Sequence, residues 1–226
     1  MSPAPQPARR AGKRARILLV DDHPMVRERL AEVINLEPDL VVCGEAEDRR
    51  QALAAIAAQK PDLAIIDLTL KDSDGLELIK DIRLRWPNVR MLVISMHDES
   101  LYAERVIRAG ARGYVTKQEA TRNILLAIRR VLSGNIYLNE KVCAHIISRL
   151  VDRPDPVAAT PTEVLADREL QVFEMTGRGL STNEIADRLH IATKTVETYR
   201  GRIREKLNLK DSSELRQHAI SWAQRH

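Results

Sequence analysis

Residues 63–75 read LAIIDLTLKDSDG. Four apolar residues, Leu63 to Ile66, run into Asp67, with Lys60-Pro61-Asp62 before them and Asp72-Ser73-Asp74-Gly75 after. A short apolar run between turn signals is the pattern of a strand buried on both faces in a parallel sheet. Asp67 then stands at the strand's carboxyl end, the edge where open α/β sheets bind ligands. A lone aspartate there is also what an ordinary turn looks like, so its neighbours have to decide.

Outward from this stretch, strand and helix patterns alternate. Ile17–Val20 is an apolar run ending in Asp21-Asp22, and Pro24 opens a helical pattern with Val26, Leu30, Val33 and Ile34 on one face. Leu40–Cys43 reads as a strand and 48–59 as an Ala-rich helix. Asp74, three residues before Glu77, caps a helix running to Arg85. Val89–Ser95 is a fourth strand, Glu99–Ala109 a helix closed by Gly110, Arg112–Thr116 a fifth strand and Gln118–Leu132 a fifth helix. Five βα units in succession imply an α/β fold, a doubly wound five-stranded parallel sheet with helices on both faces. A further amphipathic helix is expected over Asn139–Leu150, and Asp152–Pro161, with three prolines, reads as an exposed linker. From Thr162 only short helices follow, at about 167–176, 181–189, 193–207 and 212–223.

The strand ends converge chemically. The first ends at Asp21-Asp22, the third at Asp67 and the fourth at Ser95, and Lys117 follows the fifth. In a parallel sheet all of these lie on one edge. Crowded carboxylates repel, and a hard divalent cation such as Mg²⁺, which prefers oxygen ligands, relieves that repulsion. The metal neutralises an incoming phosphoryl group and leaves Asp67 to attack it as a nucleophile. Ser95 is placed to hydrogen-bond a phosphoryl oxygen and Lys117 to pair with another as a point charge.

Over about residues 16–134, through ILLVDDHPMVRERL, LAIIDLTLKDSDGLELIKDIR, MLVISMHDE and GARGYVTK, the chain resembles the receiver domain of bacterial two-component response regulators, a flavodoxin-like (CheY-like) fold. The resemblance implies phosphotransfer from a sensor histidine kinase to Asp67. It implies Mg²⁺ held by Asp22, Asp67 and the main-chain carbonyl of Thr69, with Asp21 in the outer sphere, and a switch pair of Ser95 and Tyr114. The chain departs from the family at Lys71 and Gln118, where proline is common, and at Met96, where a small residue is. Met96, Thr69 and His97 stand where they would shield the phosphoryl group.

In the helical part, Ser181-Thr182-Asn183-Glu184 is a capping box, with Ile185, Ala186 and Leu189 as the inner face of its helix. After the turn His190-Ile191-Ala192, the next helix turns Val196, Ile203 and Leu207 inward and carries Lys194, Arg200, Arg202, Arg204 and Lys206 outward. Two short helices joined by a turn, the second locally basic, make a helix-turn-helix. The stretch LADRELQVFEMTGRGLSTNEIADRLHIATKTVETYRGRIREKLNL resembles the LuxR-type DNA-binding domain over about residues 162–226. With the receiver it places the chain near the NarL/FixJ class of transcription factors. The resemblance implies base contacts from Glu197, Thr198 and Gly201, phosphate contacts from Lys194, Thr195, Arg200 and Lys206, and pairing of two DNA-binding domains through the last helix. Glu197 replaces a common lysine and accepts from cytosine rather than binding guanine. Ala166 and Ala192 replace the usual hydroxyl caps, so Asp167 and Thr193 are expected to cap one residue later.

The expected organisation is a disordered basic tail (1–15), a receiver (16–134), a linker helix and Pro-rich linker (135–161) and a DNA-binding domain (162–226). Composition fits. The chain is 44% hydrophobic, enough for a core, and holds no apolar run long enough to span a membrane. Its two cysteines suggest a reducing, cytoplasmic setting. Of the formal net charge of +4, residues 1–16 alone supply five basic and no acidic residues, so overall charge says little about nucleic acid. The expected function is a phosphorylation-dependent transcriptional regulator, not an enzyme beyond phosphorylation and dephosphorylation of its own aspartate. Its expected partners are a histidine kinase, double-stranded promoter DNA and a second copy of itself. A phosphatase with a nucleophilic aspartate is disfavoured because its second acid lies two residues on, whereas here the run is VDDH. A pseudo-receiver governed by another ligand is disfavoured by the complete set of Asp22, Asp67 and Lys117.

Overall fold

The computed structural model describes residues 14–71, 73–140, 142–144, 146 and 161–224. Residues 1–13 of the expected tail, 152–160 of the expected Pro-rich linker and half of the helix expected at Asn139–Leu150 lie outside the described residues, while Ala15 belongs to the first strand and Pro161 to a helix. The first body comprises β1 (Ala15–Val20), α1 (Pro24–Asn35), β2 (Leu40–Ala46), α2 (Arg49–Gln59), β3 (Leu63–Ile66), two-residue strands β4 (Thr69–Leu70) and β5 (Ser73–Asp74), α3 (Gly75–Arg85), β6 (Arg90–Ser95), α4 (Glu99–Ala109), β7 (Gly113–Thr116) and α5 (Lys117–Leu132). The main sheet is parallel, in the order β2-β1-β3-β6-β7. β4 and β5 pair antiparallel as a small hairpin where the sequence suggested only a turn.

The sheet's alternation divides the core in two. Leu18, Val20, Ala64, Ile66, Met91 and Val93 face one side, against Ile56 of α2, Ile79 and Ile82 of α3 and Val106 of α4. Ile17, Leu19, Leu63, Ile65, Leu92 and Ile94 face the other, against Ile34 of α1 and Ile124, Ile128 and Val131 of α5. Side-chain caps fix where most helices begin. Asp48 accepts from the amide of Gln51, Asp74 from Leu76, Asp98 from Ser100 and Thr116 from Glu119.

The second body comprises α6 (Pro161–Val164), which the sequence did not suggest, then α7 (Asp167–Gly177), α8 (Thr182–Leu189), α9 (Thr193–Lys206) and α10 (Ser212–Ala223). Leu170, Phe173, Ile185, Leu189, Val196, Ile203, Leu215, Ala219 and Trp222 form its core. The rings of Phe173 and Trp222 lie 5.5 Å apart. Gly177 permits a close crossing of α7 and α10, since a Cβ there would sit 2.4 Å from the Ala219 carbonyl oxygen. Ser181 and Glu184 form the expected capping box. The expected shifted caps are not formed. Ala166 and Ala192 are the N-cap residues and have no side-chain acceptor, while Asp167 and Thr193 are already helical. Glu169 compensates at α7 by accepting from the Ala166 amide at 2.8 Å.

The two bodies dock, and their cores merge on the α3–α4 side. Arg105 of α4 donates to Asp167 and to the Leu165 carbonyl, both at 2.6 Å. Lys80 of α3 reaches Asp167 at 3.2 Å. Arg168 pairs with Asp74 at 3.2 Å and donates to the Ser73 carbonyl. The Tyr102 hydroxyl donates to Glu174 at 3.0 Å.

Candidate functional site

The order β2-β1-β3-β6 sets β3 between β1 and β6, so Asp67 emerges beside Asp21-Asp22 on one flank and Ser95 on the other. Ligand atoms of Asp21, Asp22, His23 and Asp67 lie within 4.8 Å of one another. Lys117, at the start of α5, donates to Asp67 Oδ2 and pairs with Asp21 Oδ2, each at 2.7 Å. The Thr69 amide donates to Asp67 Oδ1 at 3.3 Å. Asp22 does not cap α1: His23 holds that position, without a side-chain hydrogen bond.

The electrostatics follow from burial. Burial of Asp67 drives its pKa up, Lys117 opposes this, Asp21 adds to it, and the result is about 6. Burial works against the Lys117 ammonium, but Asp67 and Asp21 outweigh it and raise its pKa. Lys117 therefore stays charged between two carboxylates, so the edge still carries more anionic than cationic groups. Asp22 Oδ1 is buried and accepts no hydrogen bond, although His23 Nδ1 lies 2.6 Å away. A buried carboxylate oxygen with no donor, beside two more carboxylates, fits a hard divalent cation. The geometry also brings His23 into the cluster, but an oxygen-preferring ion does not need it.

Ser95 is buried at the end of β6, and its hydroxyl accepts from the His97 amide at 3.2 Å. Tyr114 is turned fully inward and donates to the His97 carbonyl at 2.9 Å. Of the residues expected to shield the site, Met96 is 66% exposed, while His97 is buried with Nε2 3.3 Å from the Thr69 hydroxyl. His97 also stacks on Tyr102 at 4.7 Å and places Nδ1 3.4 Å from Glu174 of α7. Nothing in the sequence pattern pointed to Glu174 as a partner of His97. Burial opposes the Glu174 charge, but His97, Arg178 and Tyr102 prevail and lower its pKa. Ser95, Met96, His97, Lys117 and Arg178 line a cavity of about 490 Å³ at this junction.

On α9, Lys194, Glu197, Thr198 and Gly201 fall at i, i+3, i+4 and i+7, one face of a helix. Lys194, Glu197 and Thr198 are exposed, and Gly201 has open space where a side chain would go. Val196 and Ile203 are buried as expected, while Leu207 lies one residue past the helix, half-buried. Thr195 is half-buried. Arg200 donates to the Thr182 hydroxyl at 2.6 Å, and its Nε is buried without a partner. Glu197 accepts from Thr182 at 2.9 Å, and Lys206 donates to Glu169 at 2.7 Å. Three of the residues expected at DNA are therefore also tied within their own domain.

Residues 17–129 match the response regulator receiver domain family, and residues 163–219 match the luxR family of bacterial regulatory proteins. The chain is 31% identical over 209 residues to the oxygen regulatory protein NreC of Staphylococcus haemolyticus, covering 91% of this chain and 96% of that one. A LuxR-family two-component response regulator from Aurantimonas is 35% identical, with a TM-score of 0.57, covering 62% of this chain and all of that one. RcsB from Salmonella enterica serovar Typhimurium, bound to a promoter with phosphomimetic BeF₃⁻, has the same fold at 22% identity. Its TM-score is 0.60, covering 92% of this chain and all of that one. Among the described residues no helix is long and apolar enough to cross a membrane.

Proposed function

Because the chain belongs to the response regulators, a receiver domain joined to a domain of the luxR family of bacterial regulatory proteins, we propose that it is a DNA-binding transcriptional regulator switched by phosphorylation of Asp67. The observation that carries this reading is the Asp67 carboxylate at the end of the central strand. Lys117 Nζ lies 2.7 Å away, and two further carboxylates stand beside it. An oxygen of ionised Asp67 attacks the phosphorus of a phosphohistidine on the sensor kinase. An O–P bond forms, the P–N bond breaks, and the imidazole leaves with the bonding pair. Lys117 balances charge on the phosphoryl oxygens, and the Ser95 hydroxyl donates to one of them. Asp22, Asp67 and the Thr69 carbonyl would hold Mg²⁺, with Asp21 outside them, and a bound ion would supply positive charge to offset that of the phosphoryl oxygens. Tyr114, with its hydroxyl already inside, couples the Ser95 side of the pocket to α4 and α5.

At the other end, α9 enters the major groove. Its exposed Lys194, Glu197, Thr198 and Gly201 meet bases and backbone, and Thr195, Arg200 and Lys206 meet phosphates. Two copies bind half-sites about one turn apart, roughly 34–36 Å. Reversing the switch from 1:99 to 99:1 needs about 5.5 kcal/mol of differential interaction. The test is the intact mass of the protein after acetyl phosphate and Mg²⁺, for the wild type and Asp67→Asn. A phosphoryl adduct only in the wild type with Mg²⁺, together with tighter promoter binding, supports the reading. An adduct that persists in Asp67→Asn would overturn the assignment of Asp67.

A further inference from the structure

The two bodies meet a second time, away from the α3–α4 docking contacts. The turn between α8 and α9 holds His190 in the left-handed region, at φ 52°. From there its Nε2 donates to Asp22 Oδ2 at 2.9 Å. Asp22 is one of the residues assigned above to the metal. One of its oxygens is thus held by the DNA-binding domain, and the other is the buried one that accepts no hydrogen bond. The side chain of Asp22 is only 7% exposed, with the His190 ring against it. The same docked domain brings Glu174 and Arg178 to the cavity beside Ser95 and Lys117.

We propose that His190 and the divalent cation compete for Asp22, so that docking of the DNA-binding domain lowers Mg²⁺ affinity and Mg²⁺ binding loosens the docked helix-turn-helix turn. The carboxylate is one delocalised anion, so an N–H held on Oδ2 leaves less charge for a cation at Oδ1, and a cation at Oδ1 weakens the hold on His190. Linkage then makes the effect reciprocal: whatever the contact costs the metal, the metal costs the contact. This rests on the assignment of Mg²⁺ to Asp22 and Asp67. It adds that the helix-turn-helix turn, and not only the receiver, sets how readily the pocket loads.

The experiment is a Mg²⁺ binding isotherm on the full chain by titration calorimetry at one fixed pH, for the wild type, His190→Asn and Arg105→Ala. Asparagine tolerates the left-handed backbone and is too short to reach Asp22. Arg105→Ala removes the contacts to Asp167 and Leu165 without touching the metal site. Both variants are expected to bind Mg²⁺ about fivefold or more tightly than the wild type, the lower end of ordinary coupling between sites. Equal Mg²⁺ affinity in wild type and His190→Asn would overturn the competition while leaving the metal site in place. Absence of Mg²⁺ binding in all three would overturn the metal assignment and the competition with it.

Discussion

Lys117 governs how Asp67 titrates. Burial raises the Asp67 pKa to about 6 despite the lysine, so removing the lysine leaves only the Thr69 amide to oppose burial and Asp21. In metal-free protein, the Asp67 carboxyl is expected to titrate near 6, and higher in Lys117→Met, as read by carbon-13 NMR. A midpoint unmoved by that substitution would contradict the electrostatic account. A carboxyl whose folded pKa lies above its unfolded value stabilises the fold below about 4 and loses that contribution as pH rises through about 6. Gly75 is the other decisive residue here. A Cβ there would lie 2.1 Å from the Asp67 carbonyl oxygen and 2.7 Å from Leu68 Cα. Gly75→Ala is expected to cost about 1–3 kcal/mol by overpacking and to slow phosphorylation by displacing the Asp67 backbone. Unchanged melting and unchanged adduct formation would show that the loop yields instead.

Among the elements, α9 separates fold from function most clearly, since Val196 and Ile203 are buried while Lys194, Glu197, Thr198 and Gly201 share the outer face. Gly201→Ala meets no neighbour and improves helix propensity. It is expected to raise stability by up to about 1 kcal/mol in thermal unfolding while weakening promoter binding. Lys194→Ala is expected to weaken all DNA sites alike and lower the salt slope by about 1, whereas Glu197→Lys changes base preference in site selection. An unchanged preference would mean that the face is set in another register. Periodicity made these elements readable in advance, because each main strand and helix repeats its apolar pattern long enough to register. The β4–β5 hairpin escaped because two-residue strands have no period. The caps of α7 and α9 escaped because Ala166 and Ala192 leave helix starts unmarked by any acceptor.

For the molecule as a whole, the pocket was legible because its residues sit at strand ends in chain order, whereas the docking of the two bodies was not. Arg105 and Asp167 are 62 residues apart, and His190 and Asp22 are 168 apart. Each of these, taken alone, reads as a solvated surface group. Arg105→Ala is expected to loosen the docked arrangement and raise the radius of gyration in small-angle scattering of the unphosphorylated protein, with no change in the circular dichroism of either fold. A radius equal to the wild type's would show that the remaining contacts suffice. The division of the receiver core into two faces has its own consequence. Of the two apolar cores, the helical domain joins only the one under α2, α3 and α4, and the buried residues under α1 and α5 are all receiver residues among those described, with Tyr137 packed on them. A second copy meeting the α1–α5 side leaves the α3–α4 docking contacts in place, so self-association and release of that contact are separate steps. A paired but still latched species is thermodynamically permitted, waiting for the phosphoryl group rather than for its mate.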